Sequence, residues 1–260
     1  MKITAVQMDM KLDRPHENFA HAEALIRRAA AEKPDVILLP ETWNTGFRPH
    51  MGLAPFCDID GAEAKCCIGS LAREYGINIV AGSVSTLRGE RIYNTAYIFD
   101  RAGTCIAQYD KIHLFAFDDE PKFYSPGNSL CVFSLDNVKC GLAICYDIRF
   151  PELIRTLALQ NIDVLFVPAQ WPNVRRYPWE TLLAARAIEN QFFVAACNSC
   201  ASDTHCGGSS RILDPLGTVL AAANGRESII TAEINPGMVA ECRGTLAVFR
   251  DRRPELYQLY

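Results

Sequence analysis

The chain predicts an α/β fold, a four-layer α-β-β-α sandwich of two mixed sheets, and three observations carry that prediction. Short apolar runs such as Val36-Ile37-Leu38-Leu39 and Val164-Leu165-Phe166-Val167 are nearly continuous, as strands covered on both faces must be. Amphipathic helical stretches alternate with them in both halves of the 260 residues. Turn sequences, Asp100-Arg101-Ala102-Gly103 and Asp136-Asn137, interrupt the alternation with hairpins. Two sheets face to face with helices outside satisfy all three.

Each element follows from local sequence. Strand Lys2 to Gln7 leads through Asp13-Arg14-Pro15 into an amphipathic helix reaching about Glu32, capped by Asp13 or Asn18. Strand Val36 to Leu39 comes next, then a helix from Ala62 to Tyr75 closed by Gly76, then strand Asn78 to Ala81. Strands Tyr93 to Phe99 and Thr104 to Tyr109 flank the first turn, and Leu130 to Leu135 and Val138 to Ile144 flank the second. Pro151 suits the first turn of a helix from Glu152 to Gln160. Strand Val164 to Val167, helix Trp179 to Asn190 and strand Phe192 to Cys197 repeat the pattern. Strands around Arg211 to Leu213 and Thr218 to Leu220, joined by Asp214-Pro215-Leu216-Gly217, and Ser228 to Glu233 close the series.

No low-complexity stretch or linker marks a boundary, so residues 1–260 read as one domain. A chain this long buries roughly three quarters of its unfolded surface. With 26 Lys+Arg against 30 Asp+Glu and a net charge of −4, it lacks the basic excess that nucleic acid or anionic lipid demands. Its first residues are too polar for a signal peptide, and no apolar run is long enough to span a bilayer. The 11 cysteines are odd in number and Cys66 and Cys67 are adjacent, which suits reduced thiols in the cytoplasm better than a secreted disulfide framework. Cys197, Cys200, His205 and Cys206 have some metal-ligand spacing, but no second matched pair accompanies them, so strand end followed by loop is the preferred reading and no metal is expected.

Three strand exits carry the chemistry. Val36 to Pro40 delivers Glu41, Cys105 to Asp110 delivers Lys111, and Val138 to Ile144 delivers Cys145. Strand exits of α/β proteins converge on one rim. A thiol beside a carboxylate and an ammonium suits covalent acyl transfer: the carboxylate takes the proton, the thiolate attacks a carbonyl, and the cation stabilises the oxyanion. Each residue alone is unremarkable, since most cysteines are inert core and most charges are solvated. A Cys-His-Asn arrangement from Cys145, His113 or His205 and Asn198 is an alternative that sequence order does not exclude.

Three segments, Pro40-Glu41-Thr42-Trp43-Asn44-Thr45-Gly46-Phe47, Tyr109-Asp110-Lys111-Ile112-His113-Leu114-Phe115 and Gly141-Leu142-Ala143-Ile144-Cys145-Tyr146-Asp147-Ile148-Arg149-Phe150-Pro151-Glu152-Leu153, resemble in order and spacing the signature segments of the nitrilase, or carbon-nitrogen hydrolase, superfamily. The likeness spans essentially the whole chain. It implies Glu41 as general base, Lys111 as oxyanion-stabilising cation and Cys145 as nucleophile. Glu120 matches the family's second glutamate, although Pro121 stands where relatives often carry His. The backbone N–H of Tyr146 would complete the oxyanion hole, and the helix opening at Pro151 would help lower the thiol pKa.

Tyr146-Asp147 after the nucleophile resembles amidases, whereas nitrile-cleaving members typically have Trp-Glu. The segment Ala169 to Trp179 resembles the omega-amidase branch, with Arg175 three residues past Pro172. An arginine grips a carboxylate bidentately, so a small carboxylate-bearing amide such as alpha-ketoglutaramate is the implied substrate. Phe47 and Trp171 are candidate pocket walls, and Arg149 reads as structural, paired with an acid. Deaminated glutathione or an N-carbamoyl amine or amino acid would suit the same machinery. No cofactor is implied, and the resemblance suggests a homodimer.

Overall fold

The computed structural model describes residues 1–47, 49–200, 203 and 205–257. The chain runs β1 (Lys2–Gln7), α1 (Pro15–Ala30), β2 (Val36–Leu38), β3 (Asp58–Ile59), α2 (Ala62–Tyr75), β4 (Asn78–Val80), β5 (Val84–Arg88), β6 (Arg91–Phe99) and β7 (Cys105–Asp110). It continues through α3 (Glu120–Phe123), β8 (Cys131–Leu135), β9 (Val138–Leu142), α4 (Pro151–Ala158), β10 (Val164–Ala169), α5 (Arg176–Asn190), β11 (Phe193–Asn198), β12 (Arg211–Leu213), β13 (Val219–Ala222), β14 (Ser228–Glu233) and α6 (Gly237–Thr245).

Among the described residues these strands form an eight-stranded sheet, β14-β1-β2-β4-β6-β5-β3 with β7 also on β6, and a six-stranded sheet, β13-β12-β11-β10-β9-β8. Both are mixed: β1, β2 and β4 run parallel, as do β9, β10 and β11, and antiparallel strands flank them. The period of two along a strand explains the layering. Val36 and Leu38 pack with residues of the second sheet such as Leu142, Val167 and Ala196. Ile37 and Leu39 pack on the other side with Phe19, Leu25 and Ile26 of α1 and Ile68 and Leu71 of α2. Cross-sheet bonds include Cys197 Sγ to the Val6 carbonyl at 3.1 Å and the Cys200 N–H to the Met8 carbonyl at 3.2 Å.

The turns obey their sequences. Asp136 and Asn137 both take positive φ, 48° and 67°, the conformation a tight hairpin requires. Asp100 Oδ1 accepts the N–H groups of Ala102 and Thr104 at 3.0 and 2.8 Å, and Gly76 at φ 63° closes α2.

Several expectations are corrected. Neither Asp13 nor Asn18 caps α1; Arg14 stands at the cap and Pro15 opens the helix. Asn18 instead accepts the Lys11 N–H and donates to the Lys11 and Asn44 carbonyls, pinning the approach to the Glu41 loop. Helix α5 begins at Arg176, after a 3₁₀ turn at Asn173–Arg175. Pro178 falls in its first turn, where a missing N–H forfeits no helical bond. Strand β5 has no apolar alternation to betray it, because its buried Ser85 and Thr86 are spent on hydrogen bonds. Helix α6 is only weakly amphipathic and was not anticipated.

Candidate active site

Glu41, Lys111, Glu120 and Cys145 lie together at the strand ends, three of them with no exposed surface worth the name and the thiol 8 % exposed. Each is held by a different part of the chain.

The Glu41 loop is stapled to the segment after β4. Ser83 Oγ accepts the Thr42 N–H at 2.9 Å, the Trp43 indole N–H donates to the Ala81 carbonyl at 2.7 Å, and Asn44 exchanges bonds with the backbone of Ser85. A Cβ at Gly82 would lie 1.9 Å from the Pro40 carbonyl, so only glycine lets the two backbones approach this closely. Thr42 sits at φ 37°, an outlier for a β-branched residue. The same staple reaches Glu120, since Ser85 Oγ is 2.6 Å from the hydroxyl of Tyr124, the residue after α3. Pro121 falls in the first turn of α3, which is compatible with a helix start.

Lys111 follows β7, its N–H bonded to the Asn94 carbonyl at 2.9 Å. Its ammonium donates to Glu41 Oε1 at 2.8 Å and to Glu120 Oε1 and Oε2 at 3.1 and 2.9 Å. Burial works against its charge, yet the Glu120 and Glu41 carboxylates outweigh burial and hold it well above the ordinary lysine range. Burial raises Glu120 above the ordinary carboxylate value, with Lys111 opposing and Glu41 reinforcing the rise. The Phe115 N–H also donates to Glu120 Oε2, at 2.6 Å.

Cys145 opens a 3₁₀ turn, Cys145–Arg149, at φ 47°. A non-glycine residue in this region stores roughly 1–3 kcal/mol, and the turn is over-determined by Asp147. Its Oδ2 accepts the Ile144 N–H at 2.9 Å and the Tyr109 hydroxyl at 2.7 Å, and its Oδ1 meets the His113 N–H at 3.0 Å and Nδ1 at 2.9 Å. The carboxylate thereby ties the Cys145 turn to the segment bearing Lys111. Whatever the helix at Pro151 contributes toward lowering the thiol, it does not prevail. Burial, then the Glu41 carboxylate, push Cys145 well above the ordinary thiol value, and Lys111 offsets them only in part. Desolvation outweighs any distant dipole here.

The cleft above the thiol has about 340 Å³ of empty space, its mouth included, and is lined by Phe47, Lys111, Phe115, Asp118, Cys145, Tyr146, Arg149, Gln170, Trp171, Pro172 and Arg175. All the candidate substrate contacts, Arg175, Phe47 and Trp171, therefore reach it, as does Tyr146. Arg149 is not paired with an acid among the described residues; its guanidinium lies 4.8 Å over Trp171. Arg175 stacks over Phe117 at 4.5 Å and Phe115 at 5.2 Å. Phe47 covers the Lys111 ammonium at 5.2 Å.

Sequence reasoning missed Gln170 and Asn94. Gln170 donates its backbone N–H to Glu41 Oε2 at 2.8 Å and its side-chain amide to the Glu41 carbonyl at 2.8 Å. The strand-exit signal that found Glu41 could have found it, because it directly follows β10. Asn94 lies mid-strand and carries no such signal.

The sequence profile of the carbon-nitrogen hydrolase family matches residues 2–244. The chain belongs to the carbon-nitrogen hydrolase family. It is similar to a 2-oxoglutaramate amidase of Bacillus subtilis, with 43% identity over 257 residues covering 98% of each chain. To the omega-amidase NIT2 of Homo sapiens it is 32% identical, covering 93% of this chain and 91% of that one. Among solved structures, a family protein of Xanthomonas campestris with an arsenic adduct in its active site superposes with a TM-score of 0.91 at 28% identity, over 100% of this chain and 99% of the other. This carbon-nitrogen hydrolase is thus an α/β enzyme of two mixed sheets with flanking helices, acting on amide carbon–nitrogen bonds, and none of its described helices is long and apolar enough to cross a membrane.

Asn198 and His113, two residues of the Cys-His-Asn alternative, are engaged elsewhere. Asn198 is occupied by the backbone of Trp171, Ser199 and Gly208, and His113 is bound to Asp147 and stacked on Phe150 at 3.6 Å. Among the described residues no group of three or more His, Cys, Asp or Glu side chains is arranged to hold a metal ion. Cys197 is a buried strand thiol, pushed up by desolvation.

Proposed function

We propose that this hydrolase cleaves the side-chain amide of a small carboxylate-bearing 2-oxo acid amide, alpha-ketoglutaramate first among them, to the acid and ammonia through a cysteine thioester. The observation that carries the reading is the buried cluster of Glu41, Lys111 and Glu120 beside the Cys145 thiol. A thiol held above its ordinary value rests protonated near neutral pH, so its proton must leave as the sulfur attacks. Glu41 takes that proton, and sulfur bonds to the amide carbon. The Lys111 ammonium and the Tyr146 N–H receive the negative oxygen. The proton passes to the amide nitrogen, the C–N bond breaks and ammonia departs. Water, giving a proton to Glu41, then attacks the thioester carbon, and the S–C bond breaks as sulfur regains its proton. Glu120 keeps Lys111 charged and in place.

Arg175 grips the substrate carboxylate in this reading, with Arg149 a second cation on the same cleft, while Phe47 and Trp171 wall the chain between. The cleft's small size and its two guanidiniums, which have no carboxylate partners among the described residues, support an anionic substrate of a few carbons, and the 43% identical amidase supports its identity. Residues from both sheets form the site, which supports treating 1–260 as one functional unit. The 11 free cysteines support a reducing, cytoplasmic setting. Exposed Leu246 and Leu256 in the C-terminal part support pairing of two copies there, which equilibrium sedimentation would test. For function, ammonia release is measured from alpha-ketoglutaramate, succinamate, deaminated glutathione, a carbamoyl amine and a nitrile. Fast release from the oxo-acid amide is expected; preference for any other compound would replace the substrate, and silence across the panel would sink the reading.

A further inference from the structure

Two carboxylates, Glu41 and Glu120, share one ammonium, Lys111, in a site without exposed surface. Ionised together they leave an excess negative charge, which buried groups tolerate only where other donors surround them. Three neutral donors are present. The Gln170 N–H serves Glu41, the Phe115 N–H serves Glu120, and Asn94 serves both. Asn94 Nδ2 lies 2.8 Å from Glu41 Oε1 and 3.3 Å from Glu120 Oε1. The Asn94 backbone carbonyl meanwhile accepts the Lys111 N–H at 2.9 Å.

The other end of the amide makes the arrangement informative. Asn94 Oδ1 is buried with no hydrogen-bond partner among the described residues. Turning the amide over would aim its oxygen at two carboxylates, so the orientation is set by the acids and leaves an acceptor unsatisfied.

We propose that Asn94 is a positioning residue: its amide, bonded to both carboxylates, keeps the pair ionised around the single Lys111 ammonium, so that Glu41 stands ready for the Cys145 proton. The inference rests on the reading of Glu41 as base, and its test separates the two. The rate of Cys145 alkylation by iodoacetamide is followed against pH in wild type, Glu41→Gln, Asn94→Ala and the isosteric Asn94→Asp, alongside kcat and KM.

Without the amide, the carboxylate pair takes up a proton more readily, so Asn94→Ala should move the acidic limb of both profiles upward by about one pH unit. Its kcat should fall about 10- to 100-fold while KM stays within about threefold. Asn94→Asp donates only while protonated, so its rates should decline as pH rises where wild type is level, and it carries the test should Asn94→Ala fail to fold. If Glu41→Gln loses the limb but the Asn94 variants keep the wild-type profile, or lose only KM, the assignment of Asn94 is wrong and the base reading stands. If Glu41→Gln alkylates as wild type does, both fall.

Discussion

The floor and the rim of the cleft use charge in opposite ways. On the floor, Glu41, Lys111 and Glu120 are wholly buried, and each carboxylate accepts from the Lys111 ammonium within about 3 Å. At the rim, Arg149 and Arg175 are half-buried, rest on aromatic faces and meet no carboxylate among the described residues. A buried charge network must be complete before anything binds, because an unpaired member costs several kcal/mol of desolvation (about 3–5). A guanidinium on an aromatic ring keeps part of its hydration and has donors to spare. On the proposed function, the difference separates chemistry committed in advance from selection among substrates left open: the floor would determine which bond can break, the rim which molecule presents it.

That division is breakable by substitution. Cys145→Ala removes the atom that would carry the acyl group, and ammonia release should fall by about 10⁴-fold or more. Residual turnover near wild type, in a protein whose circular dichroism is unchanged, would end the mechanism. Glu41→Gln should lose about 10³-fold, with no thioester accumulating, because proton removal precedes it. A full-rate acyl adduct seen by mass spectrometry would contradict that order.

Glu120→Gln is the sharper test of the floor. Gln can still accept from Phe115 and Lys111, and Lys111 keeps Glu41, so thermal midpoint should move by only a few degrees while turnover falls about 100-fold. A large loss of stability with little loss of rate per folded molecule would make Glu120 scaffolding. At the rim, Arg175→Ala should raise KM for the carboxylate-bearing amide about 10- to 100-fold, the worth of a charged hydrogen-bond pair, while kcat holds. A neutral amide of equal length should be indifferent; equal damage to both would show that Arg175 only supports the wall.

The smallest effect is on stability against pH. Burial raises Cys131 and Cys200 to about 12, against an ordinary thiol value of 9.0. Above that ordinary value the unfolded chain releases thiol protons that the folded chain retains, so the unfolded state binds fewer and stability declines as pH rises. Lys111, raised likewise, adds stability that is present below its unfolded value of 10.5 and lost above it. Both signs agree, and chemical denaturation at pH values on either side of 9.0 should give a lower midpoint on the alkaline side; a flat or rising midpoint would contradict the buried-thiol account.

Sequence alone determined the layers and the three strand exits, because hydrophobic period and turn chemistry are local: Val36 to Leu39 reads as a doubly covered strand, and Asp136-Asn137 as a tight hairpin, with no knowledge of neighbours. It also determined Glu41, Lys111, Cys145 and Glu120 as candidates, since strand exits and signature spacing are written in the chain. Only the tertiary structure decided what surrounds them. Asn94 meets two carboxylates from segments 53 and 26 positions away, Asp147 joins His113 and Tyr109 to the Cys145 turn, and Arg149 finds Trp171 and, among the described residues, no acid. The polar strand β5 is illegible for the same reason, the buried Ser85 hydroxyl making sense only against Thr45 and Tyr124. Nor could the thiol's protonation be read from a helix start, because desolvation is a property of everything packed around an atom, and no local pattern records it.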